Sequence, residues 1–196
     1  MMGAAAQRLV FVAGAAMLAA LAGCASTPPS VPVEQPVRQA PLLAAAAEVE
    51  QNWLKDAPSG ALNDAVQQSN IATTICVPGW TATVRPSTTY TDGVKRKLVR
   101  GRGLPADQAS LYELDHFVPL ALGGSPRSLD NLWLQPWDGQ WGARIKDRLE
   151  RKLQLLMCRG TITLQEARDA IRTNWIKAFK QFVTGEDLAR AMEPAD

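Results

Sequence analysis

His116 is the only histidine in this chain, and it directly follows an aspartate. An imidazole with an ordinary pKa of about 6.5 can take a proton from water at neutral pH, so a well-held histidine can serve as a general base. A carboxylate is a hard oxygen donor of the type that magnesium and manganese take. Asp115 and His116 therefore carry the residue types needed to activate water beside a divalent ion. An isolated Asp-His pair is more often an ordinary ion pair or a satisfied core histidine, so the chemistry depends on the elements that position the two side chains.

Those elements are legible around the pair. Glu113 to Leu120 is an apolar-rich run that predicts a short strand, its ladder stopped at Pro119. Gly123-Gly124-Ser125-Pro126 is a turn cluster, and Asn131 to Leu134 is a second short apolar run. The two runs can pair as a hairpin over roughly 113 to 134, with a long loop that starts on glycine. A helix follows over Ala143 to Met157, because Ile145, Leu149, Leu153 and Leu156 recur at spacings of four, four and three along one face.

Leu114-Asp115-His116-Phe117-Val118-Pro119, then Gly123-Gly124, then Asp130-Asn131-Leu132-Trp133 resembles the HNH endonuclease superfamily. The resemblance implies an α+β fold: a ββα-metal (His-Me finger) core of hairpin and helix within a mainly helical small domain. It also implies roles. Asp115 would bind the metal, magnesium or alternatively manganese, and His116 would be the general base. Asn131 would buttress the hairpin and help to orient the histidine. The metal would stabilise charge on the scissile phosphate and on the leaving oxygen. Family members supply a further ligand, histidine or asparagine, at the start of the helix, where this chain has Gly139 and Gln140. Asp138 and Gln140 each offer an oxygen there, and Asp147 is another candidate if the helix is rotated. A wider pattern, Thr74 to Trp80, Val84-Arg85-Pro86, Tyr90-Thr91, Lys146-Asp147 and Cys158-Arg159-Gly160, resembles a subgroup of small bacterial HNH proteins and covers about 70 to 185.

Arg8 followed by the apolar stretch Leu9 to Ala22 reads as the core of a signal peptide over residues 1–23. It is too short for a bilayer span of about 20 residues. Leu21-Ala22-Gly23-Cys24 looks like a bacterial lipobox, which implies lipidation of Cys24 and a membrane-tethered, exported protein. Ala25 in place of aspartate favours the outer membrane, facing the periplasm. Residues 24–41 carry five prolines, at 28, 29, 32, 36 and 41, and form an extended tether. Residues 42–61 read as an alanine-rich helical segment broken at Ala57-Pro58-Ser59-Gly60, and one domain spans 62–190.

Export changes how the cysteines read. With Cys24 lipidated, Cys76 and Cys158 remain as a pair in an oxidising compartment, which predicts a disulfide. Two cysteines without further ligands nearby cannot complete a structural zinc site. Near the C-terminus, Thr163 and Glu166 form a capping box, and Ala167, Ile171, Trp175, Ala178, Phe179 and Phe182 continue one helical face. Trp175 and Phe179 could stack bases, but their helical spacing favours burial.

The formal charge of +2 excludes the broad basic field of a dedicated DNA binder. The positive charge is local: Lys95, Arg96, Lys97, Arg100 and Arg102 precede the motif, and Arg144, Lys146, Arg148, Arg151 and Lys152 lie on its helix. Such residues would hold a phosphate backbone without reading its sequence, so the expected partner is nucleic acid, DNA or alternatively RNA. With Asp147 and Glu150 interrupting the helix charges, a solvated surface is the other reading. A sequence-tolerant nuclease predicts a partly exposed His116 beside Asp115 and an oxygen ligand. The alternative is a non-catalytic envelope lipoprotein that binds nucleic acid or another partner through a degenerate HNH fold, and a buried His116 with no cavity nearby would suit a purely structural role.

Overall fold

The structure is a computed structural model, and it describes residues 51–183 and 185. The expected signal peptide, Cys24, the tether and residues 42–50 of the helical segment lie outside the described residues. Helices α1 (Trp80–Val84) and α2 (Thr88–Gly101) precede the antiparallel hairpin of β1 (Tyr112–His116) and β2 (Leu132–Pro136). Helices α3 (Ala143–Cys158) and α4 (Leu164–Phe182) follow. Short 3-10 turns at Gln68–Thr73, Ala106–Leu111 and Leu120–Leu122 join these elements, and the whole is α+β.

The first strand is shorter than its apolar run. Pairing covers Tyr112 opposite Pro136 through His116 opposite Leu132, and the chain then leaves the ladder. Phe117 to Leu120 is instead buried as the start of the loop, with Val118 fully enclosed. Pro119, which has no N–H to donate, caps the Leu120–Leu122 turn. Leu132 to Gln135 of β2 are all buried, so this strand is covered on both faces.

Helix α3 lies where the apolar repeat predicts, but its buried face is turned. Ala143, Lys146, Leu149, Leu153 and Met157 are buried, while Ile145 and Leu156 are half-buried. Leu149, Leu153 and Met157 meet Ile171, Trp175 and Ile176 of α4 in one core; fully burying each such side chain contributes about 1.5–3 kcal/mol. Trp141 stands edge-on to both Trp175 (6.1 Å between centroids) and Phe179 (5.8 Å). Trp175 is thus core and offers no face for stacking a base.

Helix α4 begins on the expected capping box, with Thr163 Oγ1 accepting from Glu166 N. It is interrupted at Asn174, whose backbone is extended (φ −169°, ψ 94°). The Asn174 side-chain oxygen accepts from Lys177 N at 3.0 Å and so recaps the helix after the break.

Residues 60 and 61, expected to close a linker, run with Leu62 along the β1–β2 loop: Gly60 N and Ala61 N donate to Asp130 O, and Leu62 bridges to Gly124. Cys76 and Cys158 form a disulfide with their Cα atoms 5.6 Å apart, tying the segment after the first 3-10 turn to the end of α3. Gln154 Nε2 reinforces that junction by donating to Ile75 O at 2.8 Å.

Candidate functional site

The β1–β2 loop is closed by one side chain. Asn131 is fully buried just before β2; its Oδ1 accepts from Val118 N at 2.8 Å, and its Nδ2 donates to Val118 O at 3.0 Å and to Ser125 O at 2.9 Å. Its backbone continues the closure, since Phe117 N donates to Asn131 O at 2.8 Å. Gly124 is required here for space: a Cβ on it would fall on the Val118 carbonyl and against Asn131 Nδ2. The turn glycine and the asparagine thus serve one knot.

The knot places His116. His116 Nε2 lies 3.1 Å from the Pro126 carbonyl oxygen, which can only accept a hydrogen bond. Nε2 therefore carries the proton, and Nδ1 of the neutral ring keeps its lone pair. The residue is 6% exposed. Burial holds its pKa below the ordinary value, opposed by the Pro126 carbonyl and Asp115 and reinforced by the charges of Arg85 and Lys146. Burial thus favours the neutral ring, and the Pro126 carbonyl fixes its tautomer.

Asp115 is held from two sides. Trp133, its cross-strand partner, donates from Nε1 to Asp115 Oδ2 at 3.1 Å, and Lys146 Nζ lies 2.8 Å from the same oxygen. Lys146 also donates to the His116 carbonyl at 3.1 Å and to Glu150 Oε1 one helical turn along. Its side chain is 1% exposed. Burial alone would lower the Lys146 pKa, but Asp115 and Glu150 outweigh it and keep the ammonium charged. This corrects the placement of Lys146 among residues that touch nucleic acid. A cation in the first turns of a helix also opposes the helix dipole, so its position depends on these carboxylates.

Further carboxyl groups surround the pair. Burial, then repulsion from Asp115, Asp147 and Glu150, pushes Glu113 up to about 7, with Lys146 opposing. Glu113 Oε2 is buried without a hydrogen-bond partner. Burial and Asp115 likewise raise Asp147, against Lys146 and Arg151. Asp138 and Gln140, the expected oxygen ligands, are exposed in the turn after β2. Among the described residues, no hydrogen bond or ion pair joins either of them to Asp115, and no group of three or more His, Cys, Asp or Glu side chains is placed to hold a metal ion. The helix turn nearest Asp115 presents the Lys146 ammonium where a second ligand is expected, and that fixed charge, rather than a lack of oxygen donors, opposes a divalent ion there.

The basic residues divide by location. Lys95, Arg96, Lys97 and Arg100 lie on α2, with Arg96, Lys97 and Arg100 exposed. Arg102 is engaged internally, donating to Leu134 O at 3.0 Å and pairing with Asp56 at 3.5 Å. Arg144, Arg148, Arg151 and Lys152 share a shallow depression on α3 with Asp147 and Leu155. Two residues not singled out as site residues belong near His116. Arg85, exposed after α1, is close enough for its charge to act on the ring. Arg127, in the loop that carries Pro126, lies 4.7 Å over the Tyr90 ring. Their only signal in the sequence was local: Arg85 in Val84-Arg85-Pro86, and Arg127 next to Pro126.

The chain matches no protein-family model, no curated protein and no solved structure.

Proposed function

We propose that this protein is an HNH-type endonuclease that hydrolyses phosphodiester bonds of DNA, with RNA as the alternative substrate, and that it does so without sequence preference. The observation that carries the reading is the orientation of His116: Nε2 donates to the Pro126 carbonyl in a loop locked by Asn131, which leaves Nδ1 as a base. Nδ1 takes a proton from water as its oxygen attacks phosphorus, and the Pro126 carbonyl stabilises the imidazolium through Nε2–H. The P–O bond to the leaving oxygen then breaks, and that oxygen takes up a proton from solvent. Arg85 and the exposed bases of α2 hold the phosphate backbone. A magnesium or manganese ion at Asp115 belongs to the resemblance; the Lys146 ammonium occupies the carboxylate oxygen that would hold one, and no step is routed through it.

The hairpin that carries Asp115, His116 and Asn131, with α3 following it, supports a ββα core of the HNH type. We place the protein at the cell envelope, tethered through acyl groups on Cys24 and facing the periplasm. The Cys76–Cys158 disulfide supports an oxidising compartment.

One observation favours a second reading. His116 is only 6% exposed, where the nuclease reading expects a partly exposed base, and this suits a non-catalytic hairpin that holds nucleic acid or another partner without turnover. Incubating the full chain with labelled single-stranded DNA, duplex DNA and RNA, and scoring both retention and product length, separates the two. Shortened products support the nuclease, and retention of intact strands supports the binding module.

A further inference from the structure

Three oxygen atoms converge on Lys146 Nζ: Asp115 Oδ2 at 2.8 Å, the His116 carbonyl at 3.1 Å, and Glu150 Oε1. An ammonium has three N–H donors and no acceptor. All three are therefore used within the protein, and none is left for a phosphate or any other ligand. Two carboxylates and a backbone carbonyl are also the donor types that a hard divalent cation takes. Lys146 reaches them from the start of α3, the helix that follows the hairpin, with its side chain enclosed.

We propose that the Lys146 ammonium stands in the position where a hairpin-and-helix site of this type would hold a divalent cation, so that Asp115 is neutralised from within the chain and binds no metal. This rests on the reading of the hairpin and α3 as an HNH-type frame. A divalent ion brought to Asp115 would meet a fixed positive charge on the same carboxylate oxygen. It could enter only by displacing the enclosed Lys146 ammonium from three hydrogen bonds. Asp115 is then a positioning residue: with Trp133 and Lys146 it fixes the end of β1 from which His116 projects.

The test is a Mn2+ titration followed by electron paramagnetic resonance, using the purified full chain, its Asp115→Asn variant and its Lys146→Asn variant. The proposal expects Mn2+ to remain free with the unaltered chain and with Asp115→Asn. It expects Lys146→Asn, which leaves Asp115 and Glu150 uncompensated, to bind Mn2+ with a Kd about 10-fold or more below the highest Mn2+ concentration that the unaltered chain leaves free. One Mn2+ bound by the unaltered chain and lost in Asp115→Asn would overturn it, as would a folded Lys146→Asn chain with no gain. If Lys146→Asn does not fold, Lys146→Gln, whose amide can still donate to both carboxylates, replaces it with the same two outcomes. Cleavage is not the readout, so failure of the metal result is distinct from failure of the nuclease reading, which turns on strand scission alone.

Discussion

Asn131 holds both backbone groups of Val118, accepting from its N–H at 2.8 Å and donating to its carbonyl at 3.0 Å. A single fully buried side chain thereby stands in for the missing ladder beyond the end of β1. Asn131→Ala should destabilise the fold by about 3 kcal/mol, because buried donors and acceptors left unpaired cost about 1–3 kcal/mol each. Asn131→Asp should cost at least as much, since a carboxylate oxygen would then face the Val118 and Ser125 carbonyls. Urea unfolding of both variants checks this. An aspartate variant as stable as the unaltered chain would contradict the assigned bonds.

Gly124→Ala should be destabilising by about 1–3 kcal/mol through overpacking, because its Cβ would strike the Val118 carbonyl and Asn131 Nδ2. Gly79→Ala is not an equivalent control, as its φ of 82° strains any side chain. Gly93→Ala, in open space on α2, is the comparison that should leave the urea midpoint unchanged or raised.

The Cys76–Cys158 bridge closes a sequence separation of 82 residues. Its removal in a Cys76→Ser, Cys158→Ser chain should cost about 2–5 kcal/mol. Thermal melts with and without dithiothreitol give the same comparison on the unaltered chain. Identical melts would show that the two cysteines are not bonded in solution.

The N-cap of α4 carries a pH dependence of known sign. Hydrogen bonds from the Thr163 backbone N–H and then its hydroxyl hold Glu166 below its ordinary value of 4.5. The folded pKa is thus lower than the unfolded one, so the contribution is fully present above about pH 4.5 and is lost as pH falls through the folded value. The difference in urea midpoint between the unaltered chain and Glu166→Gln should therefore be present at pH 7 and shrink on acidification. A difference that grows on acidification would reverse the sign of the argument.

Much of the site's frame could be read in advance, for identifiable reasons. The glycine pair does something local that its residue type announces, and α3 and the cap of α4 follow from periodicity and a short motif. The ladder, expected to stop at Pro119, already ends at His116, and the bonds of Asn131 to Val118 span 13 residues and were expected only from the family resemblance. The inward turn of Lys146 could not be read that way. An apolar repeat places leucines, whereas a buried lysine depends on Asp115, 31 residues earlier in the chain, and on Glu150 together. The break at Asn174 was hidden for a similar reason: the apolar face of α4 runs through it, and only the backbone angles mark it. The role of Arg85 rests on tertiary proximity to the His116 ring, which no spacing in the chain encodes.

The central claim is that His116, held by the Pro126 carbonyl, is the base of a phosphodiesterase. Its most direct test is nicking of supercoiled plasmid by the full chain and by His116→Ala, each with EDTA, magnesium or manganese. The account predicts open circles with the unaltered chain and a rate lower by about 10²–10⁴-fold in the variant. Intact plasmid under every condition with a folded chain, or nicking that survives unchanged in His116→Ala, would contradict it.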